Sequence, residues 1–136
     1  MDIRGKIQDT IVKKAISRII SESNSKIDFD YLISSIGSVN DTNKKLVVRI
    51  TDMNENVGLG IQEGKMVEVS KVTDPDTIFS MDKNTFSNII LNKVDSGQAF
   101  LMGAIQSDGK NWLRDSILLE KVFKEIKRVI HAPKGE

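Results

Sequence analysis

Covalent chemistry needs a nucleophile with a base beside it, or metal ligands at fixed spacing, and this chain offers few of either. His131 is the one histidine; it stands in the tail with no evident partner, which removes the usual Ser-His-acid triad unless the tail folds back. There is no cysteine, so disulfides, thiolate metal sites and cysteine nucleophiles are excluded. Asp28 with Asp30 and Asp74 with Asp76 are carboxylate pairs, but each falls at a helix cap or a turn and no EF-hand spacing follows. Gly58-Leu59-Gly60 lacks the rest of a dinucleotide fingerprint and sits in a β pattern rather than before a helix. Asn40-Asp41-Thr42 matches the glycosylation sequon and reads as a turn. The expectation is a protein that is not an enzyme and carries no metal or other cofactor.

Charge narrows the partners. The chain has 20 Lys and Arg against 19 Asp and Glu, a formal net charge of +1, so no overall field draws in nucleic acid or an anionic surface. Aromatics are 5% of residues and no basic stripe is interleaved with stacking rings, so nucleic-acid binding is not expected. Hydrophobic residues at 39% and charged residues at 29% are ordinary for a globular chain. Its 136 residues suit one domain over 1–136, which buries about two-thirds of the surface the unfolded chain exposes. Met1-Asp2-Ile3-Arg4-Gly5-Lys6 runs straight into charge with no apolar h-region, and no apolar run spans a bilayer. The expected location is the cytoplasm.

The elements that must position any site follow from periodicity. Ile3, Ile7, Ile11, Val12, Ala15, Ile16, Ile19 and Ile20 recur at helical steps, and the polar stretch from Ser21 ends that helix. Asp28 caps a short helix carrying Phe29, Leu32, Ile33 and Ile36, with Gly37 at its end. The period then changes to two. Runs over 44–51, 57–62 and 65–72, joined by short turns, predict an antiparallel meander. A fourth strand covers 77–81. Asp82 caps a helix with Phe86, Ile89, Ile90 and Val94 inward; a shorter helical turn from Asp95 stops at Gly103. A strand over 104–107 and a final helix over 111–130 complete the chain, the latter with Leu113, Ile117, Leu118, Val122, Phe123, Ile126, Val129 and Ile130 inward. This is an α+β fold of order ααβββ-β-αα-β-α, helices packed on a mostly antiparallel five-stranded sheet.

Several of these residues carry a resemblance. Ile78-Phe79-Ser80-Met81, the Asp82 cap, Phe86, Ile89-Ile90, Gln98-Ala99-Phe100-Leu101-Met102-Gly103, Ala104-Ile105, Asp108-Gly109 and Leu113 to Leu119 follow one another as in the sterol carrier protein type 2 family. The chain resembles that family over nearly its whole length, by pattern more than by residue in the first half. The resemblance implies a lipid carrier whose apolar cavity lies between the sheet and the later helices, lined by Phe86, Ile90, Phe100, Leu101, Met102, Leu113 and Ile117. The ligand class it implies is fatty acyl, isoprenoid or sterol-like. The same resemblance admits an accessory or protein-interaction subunit of a lipid-metabolism complex, with no carrier role.

Departures are specific. Asn92 and Ser96 stand where the family commonly has Gly and Pro, which predicts a differently shaped turn. Met102 stands where some members have a Gln facing the lipid, so a polar anchor is missing and a plain hydrocarbon chain is the expected ligand. The tail Pro133-Lys134-Gly135-Glu136 is not a peroxisomal tripeptide. Periodicity does not separate a cavity wall from a filled core at any of the seven residues. Lys121, Lys124, Lys127 and Arg128 on the last helix read first as a solvated face with cations at a helix C-terminus, and second as transient contact with an anionic membrane.

Overall fold

The computed structural model describes residues 3–36, 44–53 and 56–131. Gly37, the sequon at 40–42 and the tail at 133–136 lie outside them. The first apolar period forms α1 (Ile3–Lys26), which turns Ile16 and Ile19 inward. The sequence ends this helix near Ser21, yet it continues to Lys26 because its polar residues are put to use. Ser23 extends the buried stripe. Asn24 donates from Nδ2 to the Met66 carbonyl at 2.7 Å, and its Oδ1 accepts the Met66 N–H at 2.8 Å. Helix α2 (Phe29–Ile36) starts as expected, with the Tyr31 N–H donating to Asp28 Oδ1 at 3.1 Å.

The sheet contains β1 (Leu46–Ile50), β2 (Val57–Gln62), β3 (Lys65–Glu68), β4 (Thr77–Met81) and β5 (Gln106–Gly109), in the order β3-β2-β1-β4-β5. The meander β1-β2-β3 is antiparallel and β5 is antiparallel to β4. β4 runs parallel to β1, so the sheet is mixed but mostly antiparallel. The Asn24 amide thus covers the β3 edge, where backbone groups would otherwise stand open to another strand.

The parallel pair explains why the third strand stops at Glu68 and not at Val72. The chain must leave the β3 edge and pass β2 and β1 to reach the far side of β1, and a 3-10 turn at Val69–Lys71 begins that crossing. Gly60 leaves the room for it: a Cβ there would collide with the Val72 side chain. The crossing ends in two backbone ties, Lys45 N–H to Asp76 Oδ2 and Asp76 N–H to the Lys45 carbonyl, both 2.8 Å. The fifth strand lies two residues later than the sequence places it, because Gly109 pairs with Thr77. A Cβ at 109 would strike the Thr77 hydroxyl.

Asp82 caps α3 (Lys83–Ile90), accepting the Thr85 N–H at 2.7 Å. Hydrogen bonds from the Thr85 backbone and side chain hold the Asp82 carboxyl below its ordinary 3.8. Its folded-state value is depressed, so the cap contributes above about pH 4 and is lost as pH falls through the lowered value. After α4 (Ser96–Leu101) and β5 comes α5 (Trp112–Ile130), the helix on which the core converges. The face of the sheet bearing Leu46, Val48, Leu59 and Ile61 packs with α5 in one apolar cluster, joined by α1, α2 and α3.

The inward face of α5 is rotated from the expected one. Leu113 and Ile117 are exposed, while Asp115 and Leu119 are buried beside Leu118, Val122, Phe123, Ile126 and Val129. A carboxylate scores as polar in any apolar count, yet Asp115 is driven inward by two partners. Lys44 Nζ lies 3.0 Å from one of its oxygens and the Thr77 hydroxyl donates to the other at 2.5 Å. His131 also has a partner that the sequence did not reveal: its Nε2 lies 2.8 Å from the Ile90 carbonyl, joining the end of α5 to the end of α3.

Candidate functional site

Where the strand face meets α5 there is a small void. It is lined by Leu46 and Val48 of β1, Leu59, Gly60 and Ile61 of β2, Met66 of β3, and Leu119, Val122, Phe123 and Ile126 of α5. Among the described residues no charged or hydroxylated side chain lines it. Strand alternation creates one wall, since Leu46, Val48, Leu59 and Ile61 point to the same face. The steps of three and four from Leu119 to Ile126 create the other. The void measures about 10 Å³, about the space of one water probe. In this state the interior is closed. An alkyl chain enters only if α5 moves off the sheet or its side chains change rotamer.

The seven residues singled out by sequence divide into two groups. Phe86 is buried and meets Phe123 edge-on, ring centroids 6.4 Å apart. Phe100 is half-buried and meets Phe79 edge-on at 5.8 Å, and Ile90 is half-buried against the core. These three back the interior. Leu101 is 91% exposed and Met102 77% exposed at the end of α4, and Leu113 and Ile117 are exposed on the first turns of α5. None of the seven lines the void itself. The lining residues that sequence reasoning missed as a site, Leu46, Val48, Leu59, Ile61 and Leu119 among them, carried the right signal as strand and helix faces. Nothing in that signal told wall from filling.

The turn before α4 carries the two departures, Asn92 and Ser96. Asn92 takes φ of 61°, the left-handed conformation that Gly takes freely and that Asn tolerates best among other residues. Ser96 is the first residue of α4, the position where Pro is most at home in a helix. Asn and Ser thus adopt the backbone that Gly and Pro favour. Lys127 Nζ, 3.3 Å from Asn92 Oδ1, ties this turn to α5.

Comparison with known proteins settles the family. Residues 36–111 match the sequence model of the SCP-2 sterol transfer family. The chain belongs to that family. The match runs from the end of α2 through β5, so it takes in the sheet wall of the void, while α5 lies beyond it. The fold of this SCP-2 chain is similar to that of sterol carrier protein 2 from Yarrowia lipolytica in its apo form, with a TM-score of 0.58 at 15% identity, covering 83% of this chain and 89% of that one. It is also similar to UbiJ-SCP2, a ubiquinone synthesis protein, with a TM-score of 0.56 at 10% identity, covering 88% and 98%. A third likeness, with a TM-score of 0.50 at 18% identity, is to the stereoselective inverting sec-alkylsulfatase Pisa1 from a Pseudomonas species. It covers 74% of this chain but 14% of that enzyme. No curated protein sequence matches the chain. Among the described residues no helix is long and apolar enough to cross a membrane.

Proposed function

We propose that this SCP-2 domain binds a lipid by its hydrocarbon chain, without chemical conversion, between the β1–β3 wall and α5. The observation that carries the reading is the void at that place, lined among the described residues by apolar groups in a member of a sterol transfer family. Each methylene taken out of water gains about 0.8 kcal/mol, so a chain of about ten gains about 8 kcal/mol before the costs of ordering and of moving α5. Phe86, Ile90 and Phe100 form the backing that a chain reaches as α5 lifts. Leu101, Met102, Leu113 and Ile117 form the rim over which it passes. The preference for plain hydrocarbon over a hydroxylated sterol rests on the apolar lining more than on Met102, which faces outward. The ligand is a fatty acyl or isoprenoid lipid, carried or buffered inside the cell.

Fold likenesses favour a second reading. A similar fold forms a small part of a sulfatase and stands in a protein of ubiquinone synthesis, which supports an accessory subunit whose interior stays closed.

Native mass spectrometry of the purified protein, with displacement of a fluorescent fatty acid, separates the two. A carrier releases a co-purified lipid or takes up the probe; an accessory subunit shows neither across several lipid classes. Leu119→Trp, which fills the void at a cost of about 1–3 kcal/mol in strain, is expected to abolish uptake. Leu101→Trp, at an exposed position, leaves equilibrium uptake unchanged. Uptake that survives Leu119→Trp would place the chain elsewhere.

A further inference from the structure

The two edges of the sheet are finished differently. At the β3 edge the Asn24 amide bonds both backbone groups of Met66, at 2.7 and 2.8 Å. At the other edge β5 pairs only with β4, and among the described residues no hydrogen bond reaches its outer side. An open row of backbone donors and acceptors is a template for another strand. Large apolar side chains are exposed on both sides of β5 along the chain, Leu101 and Met102 before it and Trp112, Leu113 and Ile117 after it. A group of this kind on adjoining elements marks an interaction surface.

We infer that the β5 edge and the apolar shoulder around it form the interface of a homodimer, the occupant being a second copy of this chain. The charges select that occupant. Asp95, Asp108 and Glu120 are exposed there together with Lys110, Lys121 and Lys124, while Arg114 is already engaged. A partner of one sign is repelled by half of these groups. A surface that docks onto itself across a two-fold axis needs both signs, because each residue meets a different residue of the other copy.

β5 meets that requirement within its own sequence. A two-fold axis sets two β5 edges antiparallel, and with Gly109 on the axis Asp108 of each copy lies opposite Lys110 of the partner subunit. Opposite charges directly across an antiparallel pair favour it, and like charges oppose it. Centred one residue earlier, the pairing sets Asp108 against its own copy, so the charges also choose the register. Lysine alone on an edge strand guards it against pairing; Asp108, two residues before Lys110, turns the guard into a match. Four residues of strand bury little area, and the five apolar side chains supply the rest that a stable pair needs. On the function proposed above, the covered residues include the rim, so the paired form is the closed one. The pairing itself does not rest on that reading.

Sedimentation equilibrium of the lipid-free protein over a range of concentrations tests the pairing, and a monomer–dimer equilibrium is the expected result. The double variant Leu101→Asp, Met102→Asp should weaken it at least about tenfold, because two side chains lose their gain from leaving water. Asp108→Lys and Lys110→Asp should each weaken it about tenfold, since each sets like charges opposite one another. Mixing those two variants should restore a dimer as tight as the wild type, each chain supplying the charge that the other now needs. Tyr31→Asp, at an exposed aromatic on α2, should change nothing. The inference is overturned if the wild type stays monomeric at about 1 mM, if either charge variant pairs as the wild type does, or if their mixture stays monomeric. An equal loss in Tyr31→Asp would overturn it as well, by moving the contact to α2. Sedimentation without lipid reports the pairing alone and fatty acid uptake reports the interior, so the two readings fail separately.

Discussion

Phe123→Ala should lower the unfolding free energy by about 3–5 kcal/mol, the cost of emptying a fully buried aromatic site. Phe123 is 1% exposed, lines the void and holds Phe86 edge-on. The aromatic pair adds about 0.5–1.5 kcal/mol to the area term. Against a total stability of about 5–15 kcal/mol for a domain, such a loss shifts the urea midpoint far to lower concentration. The same substitution widens the proposed chain site. Added fatty acid should therefore restore more of the stability of Phe123→Ala than of the wild type, because ligand that binds only the folded state stabilises it by mass action. A melt with and without lipid reads both effects. If the alanine variant proves too unstable to purify, Phe123→Leu gives the same comparison at lower cost. Destabilisation that lipid does not relieve would separate the packing role of Phe123 from the binding role.

Asp115→Ala should be comparably damaging, at about 3–5 kcal/mol, for an electrostatic reason. Asp115 is 1% exposed and Lys44 reaches it from a nearly buried position. Removing the carboxylate strands the ammonium away from water and leaves the Thr77 hydroxyl without its acceptor. The pair joins the first turn of α5 to the chain just before β1, and Thr77 adds the start of β4. Replacing both charges, as in Asp115→Leu with Lys44→Met, is expected to recover most of the loss, since an apolar pair of similar volume need not be desolvated. Chemical denaturation of the two single variants and the double variant gives the coupling directly. A double variant as unstable as the single Asp115 variant would show that the pair's role is not electrostatic.

These residues also mark where sequence could be read and where it could not. Helix and strand periods are local, so both opening helices, the meander, the Asp82 cap and the last helix from Asn111 were legible. Asp115 was not, because its burial depends on Lys44 and Thr77, residues distant in sequence and joined to it only by the parallel β1–β4 pairing. That one inward carboxylate rotates α5, buries Leu119 and exposes Leu113 and Ile117. The extension of α1 past Ser21 has a similar cause: Asn24 reads as a helix-ending polar residue until Met66 of the edge strand is beside it. For the site, family likeness pointed to a cavity between the sheet and the later helices and named residues of α3, α4 and α5, whereas the void between sheet and α5 is lined by strand residues and by a different face of α5. Its lining had been recognised as core. Whether apolar side chains enclose space or fill it depends on fractions of an ångström in packing, and residue type alone carries no such information.

A hydrocarbon chain held between the sheet and α5 would touch both walls at once. Methyl chemical shifts measured while the protein is titrated with a monounsaturated fatty acid detect it, since Leu46, Val48, Leu59, Ile61, Met66, Leu119 and Ile126 place methyl groups on both walls. Saturable shifts in these methyls, with contacts from them to the chain protons, are the predicted result. Shifts confined to the exposed methyls of Leu101, Met102, Leu113 and Ile117, with the interior unchanged, would contradict it.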